Sequence, residues 1–293
     1  MAGEARNLTE NNVRVKIDNV RKVFNTRNGE MVALNGVSLD IHDNEFICVV
    51  GPSGCGKSTL LNIIAGLTEP TSGKVYCDGK EVTGTGTERG VVFQQYALFP
   101  WLTVKKNVMF ALEMRGVKGK EAEEEALKYL AMVDLVKFAD HYPKELSGGM
   151  KRKLMVCRAL LTDPEILLLD EPTAGMDALS RRQMWNLLRK LNGKNLTILL
   201  TTHYMEEAQN LCSRVALMDH GKLEEVNTPA GLIDSLGNYT VDEFAGDETH
   251  SHYFHSREEA IAYLSGLSGQ ASLRETTLED VFVERAGRHL MPS

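Results

Sequence analysis

The sequence predicts an α/β fold: a mainly parallel sheet core, an antiparallel β subdomain before it, a helical insertion within it and a small α+β tail. Three observations carry this. From Phe46 onward, short and almost continuously apolar segments (EFICVVG, PEILLLDEP, LTILLTTH, RVALMDHG) each end in a polar or Gly-rich turn, with helical stretches between them. Strands that are apolar throughout belong to a sheet covered on both faces. Before Phe46 the pattern instead alternates (Val13, Val15, Ile17; Val37, Leu39, Ile41), as half-buried antiparallel strands do. Between Pro100 and Leu161 the strand signal disappears.

That middle stretch is read as a helical subdomain over about 100–161. Ala122, Ala126, Leu127 and Leu130 form an apolar stripe at helical spacing, and the acidic run Glu123–Glu125 is its solvated face. The main domain is placed at 13–236 and the tail at 237–293. A polar stretch after Leu236 reads as a linker to the tail. Leu278, Val281 and Phe282 then show helical spacing, so the C-terminal end is expected to fold back onto the core or onto a twin tail.

Composition sets bounds on function. The chain has 293 residues, 43% of them apolar, which supports a sizeable buried core. A net charge of −7 argues against gripping nucleic acid over a broad basic face. No apolar run reaches the roughly 18–20 residues needed to cross a bilayer. The start, MAGEARNLTE, has no apolar signal core, so a cytoplasmic location is expected. Cys48, Cys55, Cys77, Cys157 and Cys212 show no Cys-x-x-Cys spacing and fit free thiols in a reducing compartment.

The chemistry begins at Gly51-Pro52-Ser53-Gly54-Cys55-Gly56-Lys57-Ser58-Thr59, which fits G-x-x-x-x-G-K-[ST] between the strand FICVV and the helix TLLNIIAGL. Glycines let backbone N–H groups fold around phosphate oxygens, and the helix that follows points its positive end at the same anion. Lys57 reaches the β- and γ-phosphates, and Ser58 is a ligand for magnesium. The loop identifies the core as a P-loop NTPase (RecA-like) sheet. Downstream, Ile166–Leu169 ends in Asp170 and Glu171, at the strand end where open α/β folds bind ligands. Asp170 is the second magnesium residue, acting through water, and Glu171 is the candidate base for the attacking water. Leu146-Ser147-Gly148-Gly149-Met150 adds an N-capping serine and two glycines at a helix start, an arrangement that admits an anion.

With these three elements in order, the sequence resembles the ABC ATPase family over about residues 13–236. The resemblance implies ATP and Mg²⁺ as ligands and marks further positions. Phe24 matches the aromatic that stacks on adenine. Gln94, in VVFQQ, matches the glutamine that senses magnesium and the γ-phosphate; Gln95 is the weaker alternative. Asp177, in AGMD, matches the loop that crosses the dimer interface, and His203 matches the switch histidine at the γ-phosphate. In this family Ser147, Gly148 and Gly149 of one subunit cap the phosphate site of the other. The implied partners are therefore a second copy or a similar subunit, and an integral membrane permease that holds the chain at the inner face of the cell membrane.

Ser58 and Ser147 are too close in sequence for the long coiled-coil insertion of chromosome-maintenance ATPases, and the chain carries a single cassette. Ala97–Val104 (ALFPWLTV) looks like nitrate, sulfonate and taurine importer engines. Leu146–Lys153, Thr201–Leu211 and Thr277–Val283 look like ABC-2-type exporter engines, and this longer resemblance points to the exporter group. The alternative from another class is a soluble ATP-driven dimer clamp acting on a protein without transport. His250, His252 and His255, beside Asp247 and Glu248, offer imidazole and carboxylate donors. They lack the four ligands of a structural zinc site and are read as part of the linker. The tail is expected to regulate or to stabilise the dimer.

Overall fold

The alternating N-terminal segment forms a long antiparallel hairpin, β1 (Val13–Thr26) and β2 (Gly29–His42), burying Val15, Ile17, Val20, Leu34, Val37, Leu39 and Ile41. The computed structural model describes residues 13–27, 29–246 and 248–290, with side chains described as far as residue 285. The wholly buried β3 (Phe46–Val50) follows, then α1 (Lys57–Ile64), β4 (Ser72–Cys77) and β5 (Lys80–Glu81). β4 returns to β1 and β5 pairs with β4, giving the sheet order β2-β1-β4-β5. The sequence reading confines this sheet to the first 45 residues. Its extension follows from Val75 and Cys77, which alternate with polar neighbours and stand opposite Ile17 and Val15.

The parallel sheet uses β3 with β6 (Arg89–Val92), β7 (Ile166–Asp170), β8 (Thr197–Thr202) and β9 (Arg214–Asp219), closed by an antiparallel edge, β10 (Lys222–Asn227), in the order β10-β9-β3-β8-β7-β6. Between β6 and β7 lie α2 (Val104–Met114), α3 (Gly119–Met132) and α4 (Gly148–Ala159). α5 (Ala178–Asn192) and α6 (Met205–Leu211) complete the layers. Successive β3 side chains face opposite ways. Ile47 and Val49 join a core with α1 and the antiparallel sheet, whereas Cys48 and Val50 join a second core with α5, α6 and the helical insertion.

The tail comprises α7 (Pro229–Leu236), β11 (Tyr239–Ala245), β12 (Glu248–Phe254), α8 (Arg257–Gly266), β13 (Gln270–Glu275) and α9 (Leu278–Leu290), with sheet order β12-β11-β13. The polar stretch read as a linker is thus a hairpin. It forms because its polar groups are paired: the Thr240 and Thr276 hydroxyls meet at 2.8 Å, and Asp242 accepts from Ser251 and from Arg274. His250 and His252 lie on β12, and His255 follows it; Asp247 lies outside the described residues. Leu278 and Val281 on α9 enter the second core, with Phe282 packed against it. Burying each such side chain contributes about 1.5–3 kcal/mol, which anchors α9 to the main body. All five cysteines are free and buried. No helix among the described residues is long and apolar enough to cross a membrane.

Candidate functional site

The turn between β3 and α1 is shaped by how closely backbone approaches backbone. A Cβ on Gly51 would stand 2.1 Å from the Met218 carbonyl oxygen, and one on Gly56 would stand 2.5 Å from the Ala33 oxygen. Gly54 and Gly56 also take left-handed φ values of +82° and +114°. Pro52, Ser53 and Gly54 are exposed at the rim, Cys55 is buried beneath them, and Thr59 is half-buried on α1. The Lys57 ammonium donates to the carbonyls of Gly51 (2.8 Å) and Pro52 (2.9 Å), lying across the loop. The result is a cradle with no room for a side chain at Gly51 or Gly56, one cation and a helix start. It fits a polyphosphate.

Ser58, in the first turn of α1, donates its hydroxyl to Asp170 Oδ1 at the end of β7, at 3.0 Å. Both are hard oxygen donors, the kind magnesium takes, and they fit the implied ion. Thr201 Oγ1 donates to the same Asp170 oxygen at 2.6 Å, fixing the carboxylate from β8. Glu171 follows in a left-handed conformation (φ 46°), held by its N–H donating to Thr201 O at 3.0 Å. Such a φ is strained for a residue with a Cβ and is sustained only by surrounding structure. It turns the Glu171 side chain back towards two neighbours. Gln94 Nε2 donates to Oε2 at 3.0 Å, and His203 Nδ1 lies 3.3 Å from Oε1. Glu171 is 14% exposed and His203 41%, so the group opens to solvent on the histidine side. Gln95 makes no side-chain hydrogen bond among the described residues. Gln94 sits on Glu171 rather than on the Ser58–Asp170 pair.

Ser147 caps α4, accepting from Met150 N at 3.2 Å. Its glycines serve packing inside the chain as well: a Cβ on Gly148 would stand 3.0 Å from the Tyr96 hydroxyl, and one on Gly149 3.1 Å from Ser180 Cβ. Asp177 caps α5 through Ser180 N and also accepts from Ser180 Oγ, and these bonds lower its pKa. α4 also grips the segment on both sides of Gln94, since Arg152 donates to Phe93 O at 2.7 Å and Arg158 donates to Ala97 O. Among the described residues no hydrogen bond joins Ser147–Gly149 to the loop at 51–59. Phe24 stands half-buried on β1 opposite Met31, with the Lys22 ammonium over its ring. The following β2 residues, Ala33 and Leu34, back the loop at Gly56.

The structure therefore gathers Lys57, Ser58, Asp170, Glu171, Gln94 and His203 at one end of the sheet. It leaves Ser147–Gly149 and Asp177 together on a separate surface. The sequence family described as ABC transporter matches residues 34–174. An uncharacterised ABC transporter ATP-binding protein of Methanocaldococcus jannaschii is 48% identical over 217 residues, which are 73% of this chain and 81% of that protein. The chain belongs to this family. It is an ATPase of the ABC type. The nitrate import ATP-binding protein NrtD of Synechocystis sp. is 44% identical over 207 residues, 70% of this chain and 78% of its own. The solved structure of the ATP-binding cassette MJ0796, a dimer in a post-hydrolysis state bound to ADP and Pi, matches this ABC ATPase with a TM-score of 0.68. Its sequence is 35% identical, and the match covers 73% of this chain and 98% of that one.

The sequence reading of this ABC ATPase missed Thr201, Arg152 and Arg158. A buried threonine beside an Asp-bearing strand end is a usable signal for the first. The arginines carry none, because their partners are backbone carbonyls.

Proposed function

We propose that the chain hydrolyses ATP as one half of a dimer that encloses two ATP molecules and drives a separate membrane permease. The observation that carries this is the Ser58–Asp170 pair beside Glu171, Gln94 and His203, on a chain whose Ser147–Gly149 surface lies elsewhere. Lys57 and the loop N–H groups hold the phosphates, Phe24 meets the adenine, and Ser58 and Asp170 hold magnesium, which neutralises phosphate charge. Glu171 takes the proton of the attacking water, while His203 and Gln94 orient Glu171 and the γ-phosphate.

Pairing follows from the separation of the two surfaces. Ser147→Arg is expected to leave ATP binding intact while abolishing nucleotide-driven dimerisation and turnover, because a bulky cation stands where the partner's phosphates arrive. Lys57→Ala is expected to bind ATP poorly. Mixed together, the two variants form one composite site from an intact loop and an intact signature, restoring a fraction of turnover. Activity of the mixture no higher than that of the separate variants would rule out the shared-site dimer.

The exposed aromatic surface beside Gln94 favours a membrane partner over the soluble clamp. Trp101 is 71% exposed and Met114 76%, and Phe99 packs edge-on against Phe110 and tilted against Trp101. This face suits an apolar loop helix of a permease, and holds the chain peripherally at the inner face of the membrane. For direction, a nitrate import protein among the relatives weighs towards import, against the exporter-like segments at 146–153, 201–211 and 277–283.

We place the domain boundary near Gly237 and give 237–293 a regulatory or dimer-stabilising role. Deleting the tail is a blunt test, because Leu278 and Val281 belong to the main core. Arg274 is sharper: it bridges Asp242 of β11 and Asp280 of α9. Burial opposes the charged form of Asp280, but Arg274 and the Thr277 N–H overcome it and hold its pKa below the ordinary value. The stabilisation is therefore fully present above the ordinary carboxylate range and is lost as pH falls through the lower, folded value. Arg274→Ala is expected to loosen the tail sheet from α9, destabilise by about 1–3 kcal/mol and change basal turnover or dimerisation. Unchanged melting, turnover and dimerisation would remove the tail from control.

A further inference from the structure

The segments carrying Glu171, Asp177 and His203 belong to different elements, yet one residue bonds to all of them, through its carboxyl group and its backbone N–H. Glu207 stands on α6, one turn after His203, and is fully buried. Its Oε1 accepts from Thr173 Oγ1 at 2.9 Å and from Trp185 Nε1 at 3.1 Å. Thr173 is two residues beyond Glu171, and Trp185 lies on α5, whose cap is Asp177. The Glu207 N–H donates to the carbonyl of Tyr204, the residue after His203.

The other oxygen, Oε2, has no hydrogen-bond partner. Burial pushes the Glu207 pKa up, against the hydrogen bonds from Thr173 and Trp185 that favour the charged form. An ionisable group with an orphan oxygen is a costly way to fill a core. What it provides is two donors from two different elements on a single atom. That arrangement fixes three segments relative to one another, which a pairwise contact cannot do.

We infer that Glu207 is a positioning residue for ATP hydrolysis, setting the spacing of the Glu171, Asp177 and His203 segments through Thr173, Trp185 and its own helix. The inference rests on the roles proposed above for Glu171 and His203. Glu207 touches no nucleotide, so it acts on turnover rather than on binding.

The test uses the full-length chain, with turnover corrected for the folded fraction from thermal melts. Glu207→Ala is expected to lower kcat by about 10- to 100-fold, the range for a misplacement of about 1 Å, with ATP affinity unchanged. Glu207→Gln keeps the accepting oxygen and is expected to stay close to the parent. Thr173→Val and Trp185→Phe each remove one donor at nearly constant shape and are expected to lie between these limits. Because Glu207 acts through His203, adding Glu207→Ala to His203→Ala is expected to cost little more than His203→Ala alone. Unchanged kcat in folded Glu207→Ala, or fully additive losses with His203→Ala, overturns the inference. If Glu207→Ala does not fold, the Thr173→Val and Trp185→Phe pair decides, and parental kcat in the double variant overturns it. A His203→Ala protein that turns over normally overturns the site reading and this inference together; a crippled His203→Ala beside silent Glu207 variants overturns this inference alone.

Discussion

Glu171→Gln is expected to bind ATP as tightly as the parent while turning it over about 10²–10⁴-fold more slowly, the range for a lost general base. The substitution keeps the shape of the side chain and an oxygen for the Gln94 amide, which sits 3.0 Å from Oε2. It removes the carboxylate that lies beside His203 and is proposed to take the proton. Lys57, Ser58 and Asp170 are untouched, so the groups proposed to hold the phosphates and the ion stay in place. With binding intact and hydrolysis blocked, ATP should hold two chains together, and size exclusion should show an ATP-dependent dimer. Steady-state phosphate release measures the loss. Turnover within a few-fold of the parent would remove Glu171 as the base and move that role to another group.

Why Glu171 is legible in sequence, and its setting is not, follows from what each depends on. An apolar strand ending in Asp-Glu places two carboxylates at the end of a sheet by connectivity alone. The loop at 51–59 is equally local, because its glycines, lysine and serine act within one turn. The buried strands β3, β7 and β8 are read from composition, since a segment with no polar face has to lie inside a sheet. The left-handed φ of Glu171, the Thr201 clamp on Asp170 and the Glu207 contacts to Thr173 and Trp185 depend on residues far apart in sequence. No periodicity announces them.

The tail shows the opposite failure. The stretch 237–252 reads as a linker because Thr240, Asp242, Glu243 and the histidines break the apolar pattern. It forms strands nonetheless, since Thr240 pairs with Thr276 and Asp242 with Arg274 and Ser251. Buried polar groups that satisfy one another look, in sequence, like solvated ones. The glycines of the signature carry a similar ambiguity. The anion-site reading explains them from outside the chain, whereas Tyr96 and Ser180 explain them from inside it. Both demands fall on the same two residues.

Gly51→Ala is expected to be the most damaging single methyl group in the loop. The new Cβ would stand 2.1 Å from the Met218 carbonyl oxygen and 2.7 Å from Cys55 Sγ, far inside contact distance. The sulfur can yield, but the carbonyl cannot move cheaply. Met218 lies on β9, and the adjacent Leu217 is in register with Val50 of β3, so relief at Met218 disturbs the ladder that carries the loop. If the loop moves instead, the Gly51 carbonyl leaves the Lys57 ammonium and the cradle loses its shape. Overpacking of this kind costs about 1–3 kcal/mol and occasionally more. Where the strain is relieved at the loop, ATP affinity should fall by roughly 100-fold, since each 1.4 kcal/mol is tenfold. Gly54→Ala is the matched control: it meets nothing within 4 Å and carries only the strain of φ +82°. That strain is about 1–2 kcal/mol, so its affinity should fall by less. Calorimetric titration with ATP, alongside thermal melts, separates lost binding from lost folding. A Gly51→Ala protein that binds ATP as well as Gly54→Ala would show that β9 yields to the methyl group, and that the close backbone approach is not what shapes the loop.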